Sequence, residues 1–162
     1  MQLKLEIFFT KLDTDKIVYH RHTVDMSDKN EDPDITVTKL VANEIGQTPK
    51  MLGDKFVIHS TSWRYEEQGI TLTYIVYSDK IDFADHSVKE LLVKDLKIAQ
   101  SDDPKKPRPE IIEEKNIISH AIRHLGFLAR TNERGKYLGV INPENIELLE
   151  KAYTDLAGEI RS

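Results

Sequence analysis

KFVIHSTSWRYEEQGITLTYIVYS, residues 55–78, holds two runs rich in β-branched and aromatic side chains, separated by EEQG. Such side chains pack well on a pleated surface, and a short link ending in Gly69 folds two runs into a β-hairpin. Alternation along the first run puts His59, Thr61, Trp63 and Tyr65 on one face and Ser60, Ser62 and Arg64 on the other. The strand is expected at the centre of its sheet. Trp63, the only tryptophan, next to Arg64 is a pairing that grips planar or anionic ligands by stacking and a guanidinium fork. Packing alone is the favoured alternative, with Trp63 capping the core at the strand end and Arg64 paired with a surface acid.

Outward from this hairpin, residues 3–9 alternate Leu3, Leu5 and Ile7 against Lys4 and Glu6. They pair with residues 17–23 across the polar link LDTDK. Residues 90–100 are read as a further strand. Three segments carry helical spacing. The first begins at Asp32-Pro33, a cap followed by proline in the first turn, and ends before Gly46, burying Val37, Leu40, Val41 and Ile45. The second spans residues 110–130, with Ile118, Ala121, Ile122, Leu125, Leu128 and Ala129 on one face. The third starts at Asn142-Pro143-Glu144, capped by Asn142, and buries Leu148, Leu149, Ala152, Tyr153, Leu156 and Ile160.

These elements predict a single α+β domain over residues 1–162: a mixed or mainly antiparallel sheet covered by one central helix and two C-terminal helices. Residues 1–100 form its strand-rich part and residues 111–162 its helical part. Between them SDDPKKPRPE, residues 101–110, is polar and proline-rich with almost nothing to bury, and is read as an exposed connection.

Composition removes several chemistries. The chain has no cysteine, so disulfides, thiolate nucleophiles and Cys-ligated metals are excluded. A net charge of -5 argues against a nucleic-acid partner, which requires a dense Lys/Arg surface. No apolar run is long enough to span a bilayer, and Lys4 and Glu6 interrupt the start where a secretion signal needs an apolar stretch, so a cytoplasmic protein with no membrane partner is expected. Neither GxxxxGK[ST] nor GxGxxG occurs, and HSTSW lacks the glycines of a nucleophile elbow.

In the second helix His120 and His124 lie with Ile117 and Phe127, off the main apolar stripe. Histidines four apart can share a metal, but Ala121 follows His120 where the HExxH motif has its glutamate, and a third ligand would have to come from His20, His22 or His59. The favoured expectation is a half-buried histidine face covered by a sheet, a loop or another subunit. The acidic run at Asp25, Asp28, Glu31, Asp32 and Asp34 lacks EF-hand spacing and reads as a solvated stretch.

The order of elements, an acidic loop, a helix ending KLVANEIGQTP and the strands VIHSTSWRY and ITLTYIVYS, resembles that of Nudix hydrolases over the first hundred residues. With the closing glycine of that family's motif placed on Gly46, Glu31 and Glu44 fall on two of its glutamates. The motif's first glycine falls on Asp25, and Lys39-Leu40-Val41-Ala42-Asn43 replaces its R-E-U-x-E. The resemblance implies a Nudix-like scaffold on which the magnesium cage is largely gone, since Leu40 and Asn43 stand where carboxylates are needed.

The leading expectation is therefore a non-catalytic domain that binds a small molecule or a protein, a second copy of the chain included, with no cofactor. Its candidate binding residues are His59, Trp63, Arg64, His120, Arg123 and His124. The alternative is a divergent pyrophosphohydrolase for nucleoside diphosphate derivatives, using Mg or Mn held by Glu31 and Glu44.

Overall fold

In the computed structural model, the described residues are 2–26, 30–45, 56–66, 69–83, 87–99, 105, 112–131 and 140–161. Five strands, β1 (Gln2–Asp13), β2 (Lys16–Asp25), β3 (Val57–Glu66), β4 (Gly69–Tyr77) and β5 (Lys89–Leu92), form one sheet in the order β3-β4-β1-β2-β5. The helices are α1 (Pro33–Ile45), α2 (Glu114–Ala129) and α3 (Pro143–Arg161). The α+β class is as expected, and the sheet is mixed, with β1 parallel to β4 and β3 antiparallel to it. The chain divides into two compact units, residues 1–12 with 18–89, and residues 13–17 with 90–162.

In the first unit, Leu5, Ile7 and Phe9 of β1 and Tyr74 and Val76 of β4 lie on one sheet face, packed with Val37, Val41 and Ala42 of α1 and with Met26 and Ile81. Helix α1 starts where Asp32 and Pro33 predict, because the Asp32 carboxylate accepts the Asp34 amide at 2.8 Å and satisfies a helix-start donor. The Tyr74 hydroxyl, buried beneath this end of α1, donates to the Asp34 carboxylate. Burial and that carboxylate push the phenol well above its usual range. Gly69 opens β4 where no side chain fits, since a Cβ there would lie 1.9 Å from the carbonyl oxygen of Gln2.

Two expectations about strands are corrected. The strand carrying HSTSWRY lies at the edge of the sheet, not its centre. Its register against β4 also slips by one between Ser60 and Ser62, a β-bulge with Thr61 as the extra residue. Residues before the bulge therefore reverse faces relative to those after it. His59 opposes Ile75 while Trp63 opposes Leu72, so His59 shares the face of Arg64 rather than that of Trp63 and Tyr65.

In the second unit, the strand expected over residues 90–100 is confined to Lys89–Leu92 and passes into a 3-10 turn at Val93–Asp95. The segment after the turn is tied to α2 instead of to a neighbouring strand. The Lys97 amide donates to Ser119 Oγ at 2.9 Å and the Asn116 side chain donates to the Lys97 carbonyl at 2.8 Å. Asn116 also completes a capping box with Glu113, which starts α2 four residues later than expected. Asn142 caps α3 as predicted, accepting the Asn145 amide at 2.9 Å. Helices α2 and α3 approach closely at Gly126, where a Cβ would meet the Leu149 carbonyl oxygen at 2.2 Å. The buried stripes are Ile118, Ala121, Ile122, Leu125 and Ala129 on α2, and Ile146, Leu149, Ala152 and Leu156 on α3. Of residues 101–110, only Lys105 is among those described, and it is exposed.

Candidate functional site

Strand β3 presents two chemically opposite faces after its bulge. Trp63 and Tyr65 project on the α1 side of the sheet, 58% and 60% exposed, with their rings 5.2 Å apart in an edge-to-face arrangement. Trp63 is opposite Leu72 and Tyr65 opposite Ile70, and Ile70 in turn is opposite Leu3 of β1. Leu3, Ile70 and Leu72 are each only partly buried. Leu3 and Leu72 pack against the α1 core, so the patch is a continuation of that core into solvent.

The other face carries charge. Arg64 of β3, Thr73 of β4, Glu6 of β1 and Arg21 of β2 form a hydrogen-bonded row with one side chain from each of four adjacent strands. Glu6 is fully buried and accepts from every neighbour in the row. Its Oε1 takes bonds from Arg64 Nη1 and Thr73 Oγ1, both at 2.9 Å. Its Oε2 takes Arg64 Nη2 at 3.2 Å and both Nε and Nη2 of Arg21 at 2.6 Å. Thr73 Oγ1 in turn accepts from Arg64 Nη1 at 3.2 Å, and Arg64 Nε donates to Glu66 at 3.0 Å. Burial alone would raise the Glu6 carboxyl, but the hydrogen bonds and charges of Arg64 and Arg21 outweigh it and hold the group below its ordinary value.

This row was missed by period counting. Alternation in LKLEIFF assigns Glu6 to solvent, yet Phe8 on the same side is fully buried and so is Glu6. The unbroken run IFF was the signal, because a strand apolar at successive positions is covered on both faces. Thr71 and Thr73, also buried on that side, are the matching signal in β4.

The sequence-predicted residues fall into separate places. Trp63 and Arg64 point to opposite faces, so they do not grip one ligand side by side. Arg64 pairs with the buried Glu6 as well as with a surface acid. His59, half-buried, makes a ring-nitrogen hydrogen bond with the Ser60 carbonyl at 2.8 Å. His120, Arg123 and His124 belong to α2, in the other unit, and are all partly buried. Phe127, on the histidine side of that helix, lies 5.6 Å from the Tyr153 ring of α3 with the ring planes tilted by 50°, and Arg130 lies over the same Tyr153 ring at 5.5 Å.

Glu31 lies two residues before α1 and pairs with Lys39 at 3.1 Å, while Glu44 is in the last turn. Glu31 precedes the first helical residue, and at 1.5 Å rise per residue Glu44 lies about 16 Å along the axis from Pro33, so the two glutamates belong to opposite ends of α1. Among the described residues no three His, Asp or Glu side chains are grouped to hold a metal ion.

No protein-family model and no curated protein matches this chain. Among the described residues no helix is long and apolar enough to cross a membrane.

Proposed function

We propose that the chain is a non-catalytic protein-binding domain whose contact surface is the patch of Trp63, Tyr65, Leu3, Ile70 and Leu72. The observation that carries this reading is the exposure of Trp63 and Tyr65, more than half of each, beside partly buried aliphatic residues at a sheet edge. Tryptophan and tyrosine dominate binding hot spots because they bury a large area at small entropic cost. At about 25 cal/mol per Å² of apolar surface, covering either ring contributes roughly 2 kcal/mol to association. The bulge and the charges of Arg64 and Glu66 disfavour indiscriminate strand addition along β3, so the side chains rather than the backbone edge carry recognition.

The test is selection of peptides from a random display library against the full chain, with the Trp63→Ala/Tyr65→Ala variant as counter-target. The reading predicts peptides that shift the emission of Trp63 and lose about tenfold or more affinity for the variant. Peptides that bind both proteins equally, or Mg-dependent hydrolysis of nucleoside diphosphate derivatives, would replace it.

A further inference from the structure

We propose that β3 pairs with β3 of a second copy of the chain, antiparallel and centred on Tyr65, so that the partner of the aromatic patch is the same patch on another molecule. This rests on the protein-binding reading of Trp63 and Tyr65 and names the protein bound. Among the described residues β3 has a neighbouring strand on one side only, and the N–H and C=O groups of its other side are a template for a further strand. The bulge at Ser60/Ser62 interrupts that template. Beyond it, Trp63, Arg64, Tyr65 and Glu66 keep regular register with β4 up to the end of the hairpin.

Charge selects the occupant. Arg64 and Glu66 stand on one face on either side of Tyr65, joined by the Arg64 Nε bond to Glu66 at 3.0 Å. Residues directly opposite in an antiparallel pair share a face, and like charges placed there are destabilising. A two-fold axis at Tyr65 sets Arg64 opposite the partner's Glu66, and Glu66 opposite the partner's Arg64. An axis at Arg64 would oppose two arginines, one at Glu66 two glutamates, and one at Trp63 would set Arg64 against a serine, Ser62. The charges that disfavour indiscriminate strand addition are thus complementary to one strand, β3 itself, in one register. Arg64 keeps its bonds to Glu6 and to its own Glu66, and the partner's carboxylate joins them from across the ladder, so four charges alternate in sign. They fix register more than affinity.

Affinity comes from the opposite face. There Tyr65 meets the partner's Tyr65 directly and the partner's Trp63 on the diagonal, which is within reach of large aromatic side chains. The hairpins overlap only at their ends, and the two molecules extend away from the axis in opposite directions. The exposed parts of the four rings amount to about 500 Å², below the roughly 1,200 Å² at which stable interfaces begin. The pairing is therefore reversible, with a dissociation constant expected between about 0.01 and 1 mM.

Sedimentation velocity of the full chain from about 10 μM to about 1 mM spans that range. The expected result is a monomer–dimer equilibrium that Glu66→Lys and Trp63→Ala each weaken about tenfold or more. A second measurement fixes the axis. The chain has no cysteine, so Tyr65→Cys introduces a single thiol. Opposite Cα atoms in an antiparallel pair lie about 4.5–5.5 Å apart, inside the roughly 4.4–6.8 Å a disulfide spans. Oxidation with diamide is expected to link Tyr65→Cys chains in pairs and to leave Ser60→Cys, exposed but before the bulge, unlinked. A chain that stays monomeric at about 1 mM overturns the proposal, as does a dimer indifferent to Glu66→Lys or one in which both cysteine variants cross-link equally. In each of these cases, selected peptides that still shift Trp63 emission leave the protein-binding reading standing, and their absence removes it as well.

Discussion

The two faces of β3 handle cost in opposite ways. On one, Arg64 enters a row in which each buried polar atom of Glu6 has several donors, and side chains of four strands are linked. On the other, Trp63 and Tyr65 leave more than half of their surface in water and meet each other edge to face. The first arrangement fixes which strands lie side by side and in what register, since a slip of one residue would bury an unpaired charge. The second contributes little to folding. On the proposed function, stability and recognition fall on opposite sides of a single strand, and the bulge at Ser60/Ser62 sets which side chains lie on which side.

The largest test of this contrast is Glu6→Ala. It leaves two arginines facing a site stripped of its anion, and a loss of about 3–5 kcal/mol in urea unfolding is predicted. The pH dependence has a definite sign. Because the folded-state carboxyl titrates below its unfolded value of 4.5, its contribution is complete above that pH and is lost as pH falls through the lowered value. The difference between wild type and Glu6→Ala should accordingly shrink below pH 4.5, and a difference that grows in acid would contradict the row. Next in size is Gly69→Ala, which drives a Cβ into the Gln2 carbonyl where β4 meets β1. It should cost about 1–3 kcal/mol by the same assay. Smallest is Trp63→Ala/Tyr65→Ala, expected to change stability by no more than about 0.5 kcal/mol per site, as for surface positions without structural duties. A loss near that of Glu6→Ala would show that the aromatic pair is part of the fold.

Local features of this molecule were legible in sequence and long-range ones were not. Asp32-Pro33 and Asn142-Pro143 mark helix starts because capping involves residues two or three apart, and both caps are present. The hairpin of β3 and β4 is likewise decided by two strand-forming runs and a short link. The edge position of β3 depends on β1 running parallel to β4, a pairing between residues more than sixty apart that no local pattern encodes. The bulge shifted His59 to the other face for the same reason, since register is a property of two strands. At the candidate site, Trp63 and Arg64 were picked out by residue type, but Glu6, Arg21 and Thr73 were not. Their significance comes from convergence across four strands. The strand over residues 90–100 was overextended because Leu96 is buried although it follows a 3-10 turn, and burial alone imitates a strand pattern.

Acrylamide quenching of Trp63 fluorescence addresses the division of labour most directly, because the chain has a single tryptophan and its emission reports on that one surface. The account predicts ready quenching of the native protein, close to that of the urea-unfolded chain, and marked protection when a selected peptide is bound. An indole already shielded in the native protein alone, at a concentration where the chain is monomeric, would contradict it.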